Sequence, residues 1–267
     1  MHPILIKDFF VNIHTYGVMV ALGFLAGYFW MHYSARKVGD DPNQIADISL
    51  WVLISGVIGA RLLFVLIKID NFKDDPIAAF KIWEGGLVLY GGIIAAILVG
   101  IWLIKKKKMN LYRTADVAMP CVMLGLSIGR WGCLMVGCCF GKVCDSLPWA
   151  IHFHEVEGSM LPHKFFDLPL HPTQVYMSLN ALLIFLVLTA VLKWRRFEGQ
   201  VFYLCLILYS ITRSIIECFR GDNVQRVYFG PLSTSQWISI GVGAIALWQY
   251  VSLHRKATKR GATNQKN

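Results

Sequence analysis

The chain has 267 residues, of which 56% are hydrophobic and only 16% are charged, and its mean hydropathy is +0.52. Soluble domains carry about 25% charged residues, so this composition excludes an ordinary soluble protein and indicates an integral membrane protein. The net charge of +10 would also suit a nucleic-acid-binding protein. The basic residues instead follow a membrane topology, and we expect no nucleic acid partner.

Seven apolar segments are long enough to cross a bilayer: 16–35, 46–67, 87–104, 114–135, 174–192, 200–219 and 235–253. A backbone in lipid must satisfy its own hydrogen bonds, and these segments lack the strict alternation of barrel strands, so we predict helices. The predicted fold is an all-α integral membrane protein with about seven transmembrane helices, forming a single polytopic domain over residues 1–267.

The distribution of lysine and arginine predicts the orientation. Of the 26 basic residues, fifteen fall in loops on one side of the predicted spans and eight fall on the other. The richer side belongs in the cytoplasm. The amino terminus and the long loop 136–173 are therefore expected outside, with this loop forming a small outward-facing head, and the basic tail 254–267 is expected in the cytoplasm.

The remaining three basic residues, Arg61, Arg130 and Arg213, lie inside predicted spans. An arginine at the bilayer centre costs about 2.5–3.5 kcal/mol, so it often marks function, although a structural ion pair or a snorkelling side chain is the alternative. Glu217 follows Arg213 by four residues and can pair with it on one helix face. A lipid phosphate suits the other arginines, because a guanidinium binds it in bidentate fashion. We therefore predict an outward-opening cavity for an anionic headgroup.

Four cysteines, Cys133, Cys138, Cys139 and Cys144, closely follow Arg130. Their spacing differs from the paired knuckles of structural zinc sites, so we expect no metal and no cofactor, although histidines in the next loop leave zinc open. One disulfide within the group formed by Cys138, Cys139 and Cys144 is a second option, since the outer side is oxidising in many bacteria. The main expectation for the cluster is structural packing.

The segment GRWGCLMVGCCFG (129–141) resembles the signature of the prolipoprotein diacylglyceryl transferase family, with Arg130 and Gly141 in register. Other segments that resemble the family follow in order along nearly the whole chain: Tyr16-Gly17, GARLLFVL (59–66), GGLVLYGG (85–92), Asp116, HPTQVY (171–176) and YSITRSIIECFRGD (209–222). Three positions depart from the family pattern. Tyr90 stands where relatives often carry His, and Cys133 and Cys138 stand at the usual Asn and Glu.

The resemblance implies a transferase of the bacterial cytoplasmic (inner) membrane. It implies that the diacylglyceryl group of phosphatidylglycerol passes to the thiol of a lipobox cysteine in a prolipoprotein, forming a thioether and releasing glycerol phosphate, the first step of lipoprotein maturation. Its partners would be phosphatidylglycerol, the lipobox peptide and membrane lipids. Arg130, Arg213 and Tyr90 are the expected catalytic residues, and the expected substrate-binding residues are Arg130, Tyr16, Arg61, Glu217 and Gly141.

Four alternative functions are also compatible with the sequence. A divergent paralogue would act on another substrate. A membrane transporter for a small anion would use the arginines in transit and predicts a pseudo-repeat of broken helices, which the sequence lacks. A thiol oxidoreductase would depend on Cys138, Cys139 or Cys144. A purely structural protein would tolerate the loss of any one arginine.

Overall fold

The computed structural model describes residues 1–6, 13–73, 75–81, 85–222, 228–230 and 232–264. Within these residues the chain forms seven α-helices: α1 Thr15–Val38, α2 Pro42–Ile67, α3 Leu89–Lys106, α4 Leu111–Val136, α5 Thr173–Lys193, α6 Gln200–Glu217 and α7 Thr234–Asn264. Each predicted span coincides with one of these helices. The largest difference is at α7, which continues from the predicted span through most of the basic tail.

Six helices, α1 to α6, are long and apolar enough to cross a membrane. The all-α membrane fold is therefore confirmed. The seventh helix also exposes large apolar side chains such as Trp237, Ile245 and Trp248, but polar Ser and Gln residues interrupt its first half. Its crossing of the membrane stays a prediction, and so does the side on which the carboxyl terminus lies, because six and seven crossings place that terminus on opposite sides.

The chain folds as two compact units. The first comprises Met1–Trp30 with Ala115–Asn267, and the second comprises Met31–Thr114. The single membrane domain expected over residues 1–267 stays a prediction. The core of the first unit lies between α4, α5 and α6, where Leu188 and Val201 are fully buried and the Phe185 ring packs edge-on against Trp30 at 5.1 Å between centroids.

In the second unit, α2 packs along α3, and Ile48, Leu103 and Ile104 form a small buried core. Two ion pairs flank this core: Lys107 Nζ lies 3.0 Å from Asp47 Oδ2, and Arg113 NH1 lies 3.8 Å from Asp40 Oδ1. Asp41 begins α2, where its carboxylate accepts a hydrogen bond from Asn43 N at 2.9 Å. This is the ordinary N-cap arrangement for an aspartate.

The predicted head is a folded loop with its own core. Phe140, Phe153, Leu161 and Leu170 are buried together, and Met1 packs against them. The amino-terminal strand β1 (Ile4–Ile6) pairs antiparallel with β2 (Ile13–His14), and a second short pair joins β3 (Tyr228–Phe229) to β4 (Leu232–Ser233). The amino terminus and the head are thus in contact. The side of the membrane on which they lie stays a prediction.

Asp116, in α4, forms hydrogen bonds with the backbone at the start of α6. Its side chain is fully buried, and its two oxygens accept hydrogen bonds from Gly199 N at 2.8 Å and Phe202 N at 2.9 Å. Arg195 NH1 lies 3.7 Å from the same carboxylate. Gly199, the N-cap of α6, has no side chain to satisfy these amides. An aspartate from another helix therefore caps α6, and its negative charge also suits the positive end of the helix dipole.

Replacing Asp116 with alanine is expected to lower the free energy of unfolding by about 1–3 kcal/mol, because buried amides at the start of α6 lose their acceptor. Thermal unfolding of the purified protein in detergent measures the change. Asp47→Ala is the matched control: this carboxylate is 64% exposed and forms a surface ion pair with Lys107, so its loss should cost less than about 1 kcal/mol. Equal melting shifts for the two variants would contradict the capping role.

Candidate functional site

Arg130 lies in the last turns of α4, close to the start of α1. A Cβ placed on Gly132 would lie 3.1 Å from Met19 Cβ and 3.2 Å from Tyr16 Cα, so the missing side chain lets the two helices approach. Tyr16 is half exposed and lies within electrostatic range of Arg130. The structure therefore brings together two of the residues that the sequence predicted for the site.

The guanidinium of Arg130 has few strong partners. Its NH1 group faces the sulfur of Cys133 at 3.9 Å and that of Cys139 at 3.8 Å. Its Nε–H is buried and donates no hydrogen bond to any residue that the structure describes. A buried donor without an acceptor costs about 1–3 kcal/mol, and more when the group is charged. Arg130 therefore retains the capacity to bind an anionic acceptor.

The loop after α4 is fixed by the first turn of α5. Thr173 Oγ1 donates to the Cys139 carbonyl at 2.6 Å, and Gln174 Nε2 donates to the Cys138 carbonyl at 2.8 Å. Cys139 itself adopts a left-handed conformation, with φ of +58°. A non-glycine residue in this region is strained and persists only where its surroundings hold it. The two side chains of α5 supply that restraint.

Beyond Cys139 the same loop pairs with the segment that follows α6. Gly141 and Arg220 form an antiparallel bridge, and Gly221 N donates to the Phe140 carbonyl at 3.0 Å. A Cβ on Gly141 would overlap the Cβ and the carbonyl oxygen of His171. Gly141, expected at the substrate, is therefore a point of close backbone packing, and its contact with a substrate stays a prediction. The pairing places Arg220 beside Cys139.

Gly141→Ala is expected to lower the melting temperature of the protein by several degrees, because the added methyl group must displace the backbone at His171. Gly129→Ala is the matched control. It lies in α4 with no atom within 4 Å of the added Cβ, and alanine favours helix, so its melting temperature should stay the same or rise. If Gly141→Ala has the same melting temperature as Gly129→Ala, the close packing of Gly141 against His171 does not contribute to stability.

A charged cluster at the end of α6 adjoins this pairing. Arg213 forms an ion pair with Glu217, as their spacing predicts, and Arg220 NH1 lies 3.7 Å from the same carboxylate. Ser233 Oγ donates to Glu217 at 3.3 Å, and Arg220 also pairs with Asp222. Arg220 and Glu217 are well buried, with 14% and 4% of their side chains exposed. Together with Arg130, the site holds three guanidinium groups and two carboxylates, which leaves a net positive charge for an anion.

Arg220 was not among the predicted site residues. By sequence it belongs with the basic residues of the outer loops, because it follows the sixth predicted span by one residue. In the structure it is buried and acts electrostatically on the Cys139 thiol. Its position in the family-like segment YSITRSIIECFRGD was the only signal in the sequence that could have identified it.

The sulfur atoms of Cys133, Cys138 and Cys139 all lie within 4.8 Å of one another. The spacing of the cysteines in the sequence argued against a metal site. In the structure, Cys139 adopts a left-handed turn, and the loop cysteines Cys138 and Cys139 lie next to Cys133 at the end of α4. All seven cysteines are free thiols, and Cys144 faces Ser146 instead. Hydrogen bonds with the Cys133 and Cys138 thiols lower the pKa of the Cys139 thiol, burial opposes this shift, and the guanidinium groups of Arg220 and Arg130 reinforce it.

The other two predicted site residues belong to the second unit. Arg61 is buried, and its guanidinium donates to the carbonyls of Ala78 at 2.7 Å, Ala79 at 2.8 Å and Gly86 at 3.1 Å, and also to that of Gly85. These contacts fix the connection between α2 and α3, which fits the structural alternative considered for Arg61. Tyr90 lies in the first turn of α3 with 66% of its surface exposed.

A sequence model of the family described as prolipoprotein diacylglyceryl transferase matches residues 3–252. The phosphatidylglycerol--prolipoprotein diacylglyceryl transferase of Finegoldia magna is 35% identical over 243 residues, which cover 91% of this chain and 92% of the relative. The enzyme of the same name from Clostridium tetani is 35% identical, covering 90% and 93%. That of Geobacter sulfurreducens is 30% identical, covering 95% and 96%. With matches of this extent, the chain belongs to the prolipoprotein diacylglyceryl transferase family.

Proposed function

We propose that this protein transfers the diacylglyceryl group of phosphatidylglycerol to the lipobox cysteine of a prolipoprotein, in the bacterial cytoplasmic membrane. Family membership supports the reaction. The observation that carries it is the half-buried guanidinium of Arg130, whose buried Nε–H has no acceptor among the described residues and which stands in a net positive site at the end of an apolar helix. A lipid phosphate is the acceptor that a membrane supplies in abundance.

The proposed reaction is a displacement at carbon. The sulfur of the peptide thiolate attacks the carbon of the diacylglyceryl group that bears the phosphate. The bond between this carbon and the phosphate oxygen breaks, and glycerol phosphate leaves with the bonding electrons. Negative charge grows on the phosphate oxygen as the bond breaks, and preorganised guanidinium groups stabilise it best in a site without water. The same cations favour the ionised form of an incoming thiol.

The roles of individual residues are proposed on the same grounds. Arg130 binds the lipid phosphate. Arg213 acts on the departing phosphate or the incoming thiolate, and Glu217 orients Arg213 and Arg220 through the contacts described above. Tyr16, which is close to Arg130, donates a hydrogen bond to the headgroup.

Gly141 supports the site by close backbone packing at His171, and Arg61 holds the backbone before α3 within the second unit by binding its carbonyls. The amino terminus and the head are proposed to face outward, where the prolipoprotein thiol arrives.

The function is tested with the purified full-length protein in nanodiscs that contain phosphatidylglycerol. A synthetic lipobox peptide is added, and the release of glycerol phosphate and the mass of the peptide are followed together. The expected result is equal amounts of lipidated peptide and glycerol phosphate. A peptide with serine in place of cysteine, and nanodiscs of phosphatidylcholine alone, are the controls. If the protein modifies no peptide in the presence of phosphatidylglycerol, the proposal fails.

A thiol oxidoreductase is the second candidate, because three thiols converge beside Arg130. The same assay separates the two functions. A transferase consumes phosphatidylglycerol without net oxidation of any thiol, whereas an oxidoreductase would change the redox state of the peptide cysteine and release no glycerol phosphate.

We propose that Tyr90 donates a hydrogen bond to the lipid phosphate, and Tyr90→Phe, which removes that donor, is therefore expected to lower the turnover of the transferase about 10- to 100-fold. Tyr90→His should restore part of the rate, since relatives often carry histidine at this position and its ring also donates a hydrogen bond. Turnover of the two variants is compared in the nanodisc assay. Near-normal turnover of Tyr90→Phe would remove Tyr90 from the mechanism.

A further inference from the structure

The convergence of Cys133, Cys138 and Cys139 is not explained by the proposed transfer reaction. Cys133 and Cys138 stand where the family signature that this segment resembles has Asn and Glu. All three sulfurs lie within 4.8 Å of one another. Thiolates that share one tetrahedral zinc ion at about 2.3 Å from each sulfur are separated by about 3.8 Å. Movements of about 1 Å, within the reach of side-chain rotation, would bring the three sulfurs to that distance.

The charges around the cluster suit a metal bound by thiolates. A divalent ion with three thiolates carries a net charge of −1. Arg130 NH1 faces the sulfur of Cys133 at 3.9 Å and that of Cys139 at 3.8 Å, and Arg220 lies beside Cys139 because its segment pairs with Gly141. Cations and hydrogen bonds directed at ligating sulfurs stabilise such a centre and orient its ligands.

The backbone of the cluster is also held in place. Cys133 is fixed in α4 and buried, and the carbonyls of Cys138 and Cys139 are held by Gln174 and Thr173. An ion would therefore meet ligands that are already ordered, so little conformational entropy is lost on binding. The partial exposure of Cys138 and Cys139 leaves one side of the cluster accessible.

We propose that Cys133, Cys138 and Cys139 form a binding site for one zinc ion, held by three thiolates with a water molecule as the fourth ligand. Zinc is favoured over magnesium or calcium because thiolates are soft ligands. Each thiol that is still protonated releases its proton to solvent when the ion binds. The site does not require that the protein be an active transferase.

Cobalt(II) serves as a spectroscopic substitute for zinc in the first test. The reduced full-length protein in detergent is titrated with cobalt(II), and we expect one ion per chain with sulfur-to-cobalt charge-transfer absorption, which zinc then abolishes by displacement. The triple variant C133S/C138S/C139S should lose this absorption, and the double variant C144S/C218S, which changes two thiols outside the cluster, should keep it. Cobalt bound without charge-transfer absorption would overturn the proposal and indicate the exposed histidines of the head, His152, His154 and His163.

A second measurement uses the unchanged protein, so it does not depend on the folding of a variant. The protein is alkylated with N-ethylmaleimide with and without zinc, and each cysteine is quantified by mass spectrometry. Zinc should protect Cys133, Cys138 and Cys139 at least tenfold and leave Cys144 and Cys218 equally reactive. Equal alkylation of the three cysteines with and without zinc would overturn the proposal, whatever the outcome of the transferase assay.

Discussion

Arg130→Ala is expected to lower the rate of diacylglyceryl transfer by about 100- to 1,000-fold, the usual effect of removing one preorganised donor to a developing negative charge. The structure supports so large an effect because the Nε–H of the guanidinium is buried and is unsatisfied by the described residues. Rates are measured in the nanodisc assay at saturating peptide. Binding of phosphatidylglycerol should weaken as well, because the same group contacts the phosphate before the reaction.

Two further variants define what Arg130 contributes. Arg130→Lys keeps the charge but loses the planar fork of donors, so we expect it to recover only part of the lost rate. Arg36→Ala is the matched control: it removes an exposed arginine at the opposite end of α1, where it contacts His32, and should leave the rate unchanged. If Arg130→Ala turns over within threefold of the unchanged protein, the phosphate-binding role is wrong.

Glu217→Ala is expected to cost about 3–5 kcal/mol of stability, because it leaves Arg213 buried without its ion-pair partner and removes one contact of Arg220. The melting temperature in detergent measures the loss. Glu155→Ala is the control, since this carboxylate is 66% exposed and pairs with the exposed His163. A small loss for Glu217→Ala, equal to that of Glu155→Ala, would show that the pair contributes little.

A double variant separates stability from function. Replacing both Arg213 and Glu217 with leucine removes the two charges together, and apolar residues of similar volume often restore the stability of a broken buried pair. We expect this variant to melt close to the unchanged protein and to have almost no transferase activity. Full activity in the double variant would assign Arg213 a structural role only.

Much of the fold could be predicted from the sequence. Apolar segments of about twenty residues must become helices in lipid, and the pairing of Arg213 with Glu217 follows from their four-residue spacing in one helix. Arg130 was identifiable because a charge in a long apolar run needs a partner. These inferences depend on local pattern alone, and local pattern is what a single sequence contains.

The parts of the site that could not be predicted depend on contacts between segments that are far apart in the sequence. The cysteine cluster forms because Cys139 adopts a left-handed conformation that Thr173 and Gln174 hold from another helix. Arg220 enters the site because its segment pairs with Gly141. Arg61 binds backbone carbonyls, which leave no trace in side-chain identity. Spacing and composition carry no information about such contacts.

The pairing of Gly141 with Arg220 also constrains how the protein is made. The ribosome delivers Arg130 and its loop to the membrane before α5 and α6 have been synthesised, and Arg220 follows only after α6 is complete. A chain interrupted before α6 would therefore contain Arg130 and the three cysteines but none of the charged groups that surround Glu217. The site therefore closes late in biosynthesis, only when the segment after α6 pairs with the loop that follows α4.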